Sequence, residues 1–217
     1  PIPCIEDVSV PVGSLPEYVR DVSDLIKRLG TTAGFYGHAS AGCLHIRPLV
    51  NLKTGKGLLM MKELMDGAFE LAVRYGGVMS GEHGDGRQRS YLNERLFGPE
   101  LYGAMRELKA AFDPEGVFNP GKVVDPESPL ENLRHGDRSG PYEIRTKLDW
   151  SLDSNFSRAV GMCNGQGVCR KLGEGIMCPS YMATRDERDT TRARANALRA
   201  VLSGALERDS LAGREMY

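Results

Sequence analysis

No run of apolar residues in this chain approaches the roughly 20 that a helix needs to cross a bilayer. Nor does it open with a basic segment followed by an apolar core, so neither a membrane anchor nor a secretory signal is expected. A dominant charge sign is lacking too, since 28 Lys and Arg against 29 Asp and Glu leave a formal net charge of −1. That gives no electrostatic reason to expect a nucleic-acid partner. Cysteine is sparse and odd in number, five in all, which argues against a closed disulfide framework and fits a reduced, cytoplasmic setting. Histidine is scarcer still, with four, so three of them in motif-like positions carry weight.

What is present suits a soluble globular protein. The 217 residues are 41% hydrophobic and 26% charged, enough for one good-sized domain or one domain plus a smaller module. Residues 5 to about 81 alternate two kinds of segment. Ile5 to Val10 reads as a short strand. Ser14-Leu15-Pro16-Glu17 reads as a capping box opening a helix that runs to Leu29 and stops at Gly30. Thr31 to Tyr36 and Cys43 to Val50 are β-favouring runs joined by a turn-rich segment. Lys56 to Tyr75 has helical spacing, with Leu58, Met61, Leu64, Met65, Ala68, Phe69, Ala72 and Val73 on one side. Gly76-Gly77 ends that helix and Val78 to Ser80 starts a last short strand.

The order β-α-β-β-α-β predicts an α+β, ferredoxin-like sandwich, with an added helix over Asn93 to Phe112 broken by Asp113-Pro114. The expected domain spans 1–124. Residues 125–150, rich in proline, glycine and polar residues, are expected to be a linker. A mainly helical, loop-rich segment is expected over 151–217, with a helix from Asp186 to Leu206.

Ser80-Gly81-Glu82-His83-Gly84-Asp85-Gly86 is the most informative stretch. Glycines flanking an acid and an imidazole let the backbone turn tightly and approach a ligand, and those two side chains can bind metal or move protons. His38 and His45 bracket a second turn. Two imidazoles on facing strands plus Glu82 make a three-ligand metal site with an open position. Local hydrogen bonding by strand-end histidines is the competing reading. In the simplest sheet of this order the fourth strand ends opposite the β2–β3 hairpin, so Glu82 is in reach only if its loop runs back or the sheet order differs. Cys163, Cys169 and Cys178-Pro179 form a separate group, for which structural zinc or three ordinary thiols compete with an iron–sulfur role.

The stretches Tyr36-Gly37-His38, Leu44-His45-Ile46-Arg47-Pro48, Ser80 to Gly86, Phe112-Asp113-Pro114 and Phe118-Asn119-Pro120-Gly121-Lys122 together resemble the C-terminal domain of FAD-linked oxidases. That group includes the D-lactate, glycolate and D-2-hydroxyglutarate dehydrogenases of the vanillyl-alcohol-oxidase-like superfamily. The resemblance implies that His38, His45 and Glu82 bind a divalent metal (zinc, manganese or iron), that His83 is the catalytic base, and that Asn119 and its neighbours face the flavin. Lys122 can place a cation there. Many relatives carry Gly-Asp-Gly-Asn where this chain has Ser40-Ala41-Gly42-Cys43; the spacing is kept, but second contacts and substrate choice change. The cysteine segment resembles the iron–sulfur module fused behind some of these oxidases, which implies [4Fe–4S] ligation by Cys163, Cys169 and Cys178 with Arg192 and Arg194 nearby and further ligands outside this chain.

The expected function is therefore part of a flavin-dependent dehydrogenase. It oxidises a D-2-hydroxy acid by hydride transfer to FAD and passes electrons through iron–sulfur clusters to an acceptor. Its partners are the FAD-binding and iron–sulfur portions of the same protein and the acceptor, through which it can associate peripherally with a membrane. Arg47, Arg87 and Arg89 are candidates to grip the substrate carboxylate, since guanidinium binds it bidentately. Two alternatives are a zinc-dependent hydrolase, with His83 activating water, and a non-catalytic ferredoxin-like interaction domain with a structural metal.

Overall fold

A computed structural model of the chain describes residues 2–134, 144–173, 175 and 177–213. The chain divides into two compact units, Pro1–Gly136 and Asp137–Tyr217. The linker expected over 125–150 falls partly on residues 135–143, which lie outside the described residues.

The first unit is α+β. Its elements run β1 (Ile5–Ser9), α1 (Leu15–Arg28), β2 (Ala33–His38), β3 (Cys43–Pro48), α2 (Gly55–Arg74), a short α3 (Gly86–Arg89) and α4 (Asn93–Phe112). The strands form an antiparallel sheet in the order β1-β3-β2. The strand expected over Val78–Ser80 is reduced to a single antiparallel bridge, Val78 with Ser9. Helices α1 and α2 cover one face of the sheet. There Ile5, Val8, Leu44 and Ile46 meet Val22 and Ile26 of α1 and Met61, Leu64, Met65 and Ala68 of α2, all buried in one cluster. Burial of that apolar stripe supplies the stability of these elements, and the methionines fill it as ordinary core residues.

Two local expectations need correction. Ser14 makes no capping hydrogen bond, because a 3-10 turn over Val12–Ser14 runs straight into α1 and leaves Ser14 in a helical conformation. The cap that does form belongs to α2, where Thr54 is extended and its side chain accepts from Gly57 N at 3.1 Å. Helix α4 is broken near its start by Gly98 (φ 79°, ψ 163°), with Pro99 opening the longer segment. Its outer side is left open, with Leu101, Leu108 and Phe112 all exposed.

Among its described residues the second unit has helices but no strand: α5 (Phe156–Val160), α6 (Pro179–Thr184) and α7 (Thr191–Leu202). Helix α7 starts later than Asp186. Thr190, fully buried, accepts from Ala193 N at 2.9 Å and fixes the helix start there. Among the described residues of this unit, Val160, Cys178, Tyr181, Val201 and Leu202 are the buried apolar ones.

Candidate functional site

The site lies on the sheet face turned away from the helices. Strand alternation sends Leu44 and Ile46 into the core and leaves Cys43 and His45 on the opposite face. Across the hairpin, His45 pairs with Tyr36 and Cys43 with His38, so these four side chains share that face. Strand β1 adds two acids through a bulge. Ile5 pairs with Ile46 and Val8 with Leu44, so Glu6 and Asp7 both stand opposite His45. Asp7 takes φ 77° there. The extra residue lets both acids face the site while Ile5 and Val8 keep their places in the core.

The glycine-rich loop is hung from this bulge. Gly81 N donates to Asp7 O at 2.8 Å, and a Cβ at Gly81 would sit 1.9 Å from Ser9 Oγ, so only glycine permits the approach. The Asp7 carboxylate accepts from Glu82 N (2.9 Å), His83 N (2.8 Å) and Ser80 Oγ (2.9 Å), with Cys43 Sγ 3.5 Å away. Burial pushes Asp7 toward protonation, but these hydrogen bonds and the nearby Arg89 charge outweigh it and hold the group below the usual aspartate range. The difficulty over strand direction is thereby resolved. From Val78 to Gly81 the chain descends only from Ser9 to Asp7, which leaves Glu82 level with His45.

Glu82 Oε1 is the meeting point. It lies 3.2 Å from His45 Nε2, 3.4 Å from His38 Nε2 and 3.4 Å from His83 Nε2. The His45 and His83 rings stack with centroids 5.1 Å apart, and His38 stands edge-on to His45 at 5.5 Å. His45 is the buried floor, at 4% exposure, while His38, Glu82 and His83 open to solvent.

Three overlapping groups of donors are compact enough for a metal ion: His38, His45 and Glu82; Glu6, His45 and His83; and Asp7, Glu82 and His83. The last two are compromised, because Asp7 is saturated by the loop and Glu6 already accepts from Arg47 and Tyr36. In the first group Glu82 Oε1 accepts only a long contact from Cys43 Sγ, at 3.8 Å, and the Nε2 atoms of His38 and His45 face it. Nitrogen and oxygen ligands about 2.0–2.1 Å from a tetrahedral ion lie roughly 3.3–3.4 Å apart, close to the 3.4 Å and 3.2 Å that separate Glu82 Oε1 from His38 and His45. These residues therefore fit a divalent ion.

The other expected residues are placed as follows. Arg47 forks onto Glu6 (Nε 3.0 Å, Nη2 2.9 Å) and stacks over Tyr36. That pairing holds the Glu6 carboxyl below its usual range, and burial opposes it only in part. Arg87 pairs with Glu127 at 2.6 Å. Arg89 is buried and donates to the carbonyls of Glu6, Gly84 and Met79, with Asp7 Oδ2 3.9 Å away. Asn119 (φ 49°) and Lys122 sit on a turn held by Asp113, which accepts from Val117 N and Phe118 N. Among the described residues neither contacts the imidazole cluster by a hydrogen bond or ion pair; Lys122 Nζ donates to Pro120 O.

In the second unit, Cys163 and Cys169 are half-buried and Cys178 is buried. The backbone N–H of Tyr181, then contacts from Thr191 and the charge of Arg194, draw the Cys178 thiol below its ordinary value. Arg192 pairs with Glu187 and donates to Gly165 O, while Arg194 reaches Ser180 Oγ at 3.4 Å. The three sulfurs form no compact metal-ligating group among the described residues. Glu6 and Asp7 were not foreseen from the sequence. The signal was two adjacent acids inside an apolar strand, which regular alternation cannot both expose.

Comparison with known proteins adds a family. The model of the C-terminal domain of FAD-linked oxidases matches residues 1–123. The D-2-hydroxyglutarate dehydrogenase of Pseudomonas putida is 38% identical over 204 residues, covering 92% of this chain and 20% of that protein. The D-2-hydroxyglutarate dehydrogenase of Escherichia coli is 34% identical over 206 residues, covering 92% of this chain and 19% of that protein. A D-lactate dehydrogenase of Archaeoglobus fulgidus is 41% identical over 118 residues, covering 54% of this chain and 26% of that protein. The chain thus spans about a fifth of the length of the first curated relatives it matches.

Proposed function

The chain belongs to the FAD-linked oxidases through their C-terminal domain, and on that premise we propose that it is the substrate-oxidising part of a flavin-dependent dehydrogenase acting on a D-2-hydroxy acid. The observation that carries this reading is the convergence of His38, His45 and His83 on one oxygen of Glu82. Of the two substrates for which its dehydrogenase relatives are named, D-2-hydroxyglutarate is favoured, because those relatives match across 92% of the chain.

In this reading His38, His45 and Glu82 hold a divalent ion (zinc, manganese or iron), and Asn119 and Lys122 face the flavin. When bound, the ion would polarise the α-hydroxyl and carboxylate, and the FAD would take up the hydride. His83, half exposed beside the donor set, accepts the hydroxyl proton at Nε2. The substrate loses one proton to His83 and one hydride from its α-carbon, and so leaves as the 2-oxo acid. His45, as the buried floor, closes the inner side of the site to water.

The same proposal extends to the second unit. Cys163, Cys169 and Cys178 would contribute to a [4Fe–4S] cluster that residues outside this chain complete, and the depressed Cys178 thiol supports a thiolate role. Electrons would pass from FAD through that cluster to an acceptor such as a quinone. The protein would be cytoplasmic and meet a membrane only peripherally. The three-stranded sheet with its Val78 bridge is read here as a ferredoxin-like sandwich with a curtailed fourth strand.

The test is anaerobic mixing of the flavin-loaded, full-length protein with D-2-hydroxyglutarate or D-lactate, followed at the flavin absorbance. One of them should bleach the flavin, and His83→Asn should slow the bleaching about 10²–10⁴-fold. A flavin that stays oxidised with either acid, in metal-replete protein, would refute the assignment.

A further inference from the structure

We infer that the bulge in β1 is a positioning device for this site, with Glu6 orienting the His45 ring and Asp7 fixing the loop that presents Glu82 and His83. The inference rests on the metal-holding reading of His38, His45 and Glu82, and names two residues that this reading leaves without a role.

The register forces the arrangement. Between the Ile5–Ile46 and Val8–Leu44 pairs, β1 has two residues where β3 has one. Without the extra residue, either Glu6 or Asp7 would turn into the apolar core. The bulge instead places two carboxylates against one histidine, and each serves a different element.

Glu6 acts on the strand-borne ligand. Its Oε1 is 3.5 Å from His45 Nδ1, a buried nitrogen that has no closer partner. The carboxylate cannot swing away, because Arg47 holds both of its oxygens and Tyr36 donates to one at 3.0 Å. Tyr36 in turn packs on the His45 ring at 4.8 Å. An imidazole whose Nδ1–H faces a carboxylate keeps its Nε2 lone pair for a cation, and Nε2 is the atom aimed at Glu82.

Asp7 acts on the loop-borne groups. Both of its oxygens accept from the loop, through the backbone of Glu82 and His83 and the Ser80 hydroxyl. It does so at φ 77°, a left-handed conformation that strains a side-chain-bearing residue. Its carboxylate makes the contacts that a glycine, the residue best suited to that backbone, would lose.

The experiment measures Zn²⁺ and Mn²⁺ affinity of the full-length protein by chelator competition. The variants are Glu6→Leu, Asp7→Asn and Ser80→Ala, with His38→Ala as the reference for a lost ligand, and each melting temperature is recorded. Glu6→Leu and Asp7→Asn should each weaken affinity about 10–100-fold. Ser80→Ala, which deletes one loop contact to Asp7, should weaken it less and carries the test if Asp7→Asn does not fold. In the metal-free protein, ¹⁵N NMR of His45 should show the Nδ1–H form in the wild type and loss of that preference in Glu6→Leu. Wild-type affinity in all three variants, alongside weak binding by His38→Ala, would overturn this inference and leave the metal reading standing. An affinity loss that only tracks a lower melting temperature, with an unchanged His45 tautomer, would also overturn it. Wild-type affinity in His38→Ala would remove the metal reading and this inference with it.

Discussion

Replacing Arg89 by methionine separates two roles for that side chain. Methionine keeps most of its length and removes its charge and all its donors. The carbonyls of Glu6, Met79 and Gly84 would then lose a donor, and Asp7 would lose a cation 3.9 Å from Oδ2. Arg89 is itself buried, at 8% exposure. A buried polar group left unpaired costs about 1–3 kcal/mol, and breaking a buried charge pair about 3–5 kcal/mol. These contributions overlap on one side chain, so the expected loss is about 3–5 kcal/mol rather than their sum. For a chain of this size that is a fall in melting temperature of roughly 6–20 °C. Differential scanning fluorimetry and urea titration of Arg89→Met against wild type would measure it. Arg87→Met, which removes an exposed pair with Glu127, is the control and should barely move the transition. The reasoning fails if Arg89→Met melts like wild type while the KM for a hydroxy acid rises. That pattern would mean the guanidinium grips substrate rather than the backbone.

Two further outcomes follow from the geometry. Asp113 is held below its ordinary pKa of 3.8, first by the Lys109 hydrogen bond and then, against burial, by the N–H groups of Phe118 and Val117. The folded state therefore binds this proton more weakly than the unfolded chain. The stabilisation it gives is present above the ordinary value and is lost as pH falls through the depressed one. Asp113→Asn should flatten the acid side of the stability profile in thermal melts between about pH 2 and 6; an unaltered slope would count against the account. Gly81→Ala puts a Cβ 1.9 Å from Ser9 Oγ and 2.9 Å from Ser9 Cβ, so the loop must lift and Zn²⁺ affinity should fall about tenfold or more. Adding Ser9→Gly removes both obstructing atoms and should restore the affinity, and failure of that rescue would place the fault elsewhere.

Much of the first unit could be read from spacing. The apolar positions of α2 from Leu58 to Ala72 are buried as their helical period requires, with only Val73 escaping to the surface. The helical segment Asn93–Phe112 has the expected outer bounds, since Asp113-Pro114 cannot continue a helix, but the break at Gly98 was not expected. The two strands bearing His38 and His45, and the loop bearing Glu82 and His83, were recognisable by their residues. Their convergence followed only from the family resemblance, because on spacing alone it depends on how far the segment after Val78 descends along β1. Glu6 and Asp7 escaped notice because a bulge breaks the two-residue period on which strand reading relies. The arginines were ambiguous for a different reason. Residue type says that a guanidinium can bind a carboxylate, but only coordinates show that Arg47 has already taken Glu6 and that Arg89 has taken backbone carbonyls.

The alternation of β3 has a consequence for how errors in this protein would show. Ile46 and His45 are neighbours in the chain, yet one is packed in the apolar core and the other faces His38, Glu82 and His83. A slip of one residue would exchange them, stranding an imidazole among methionines and putting a branched hydrocarbon among the imidazoles and Glu82. Misfolded copies of this hairpin would therefore be inert as well as unstable.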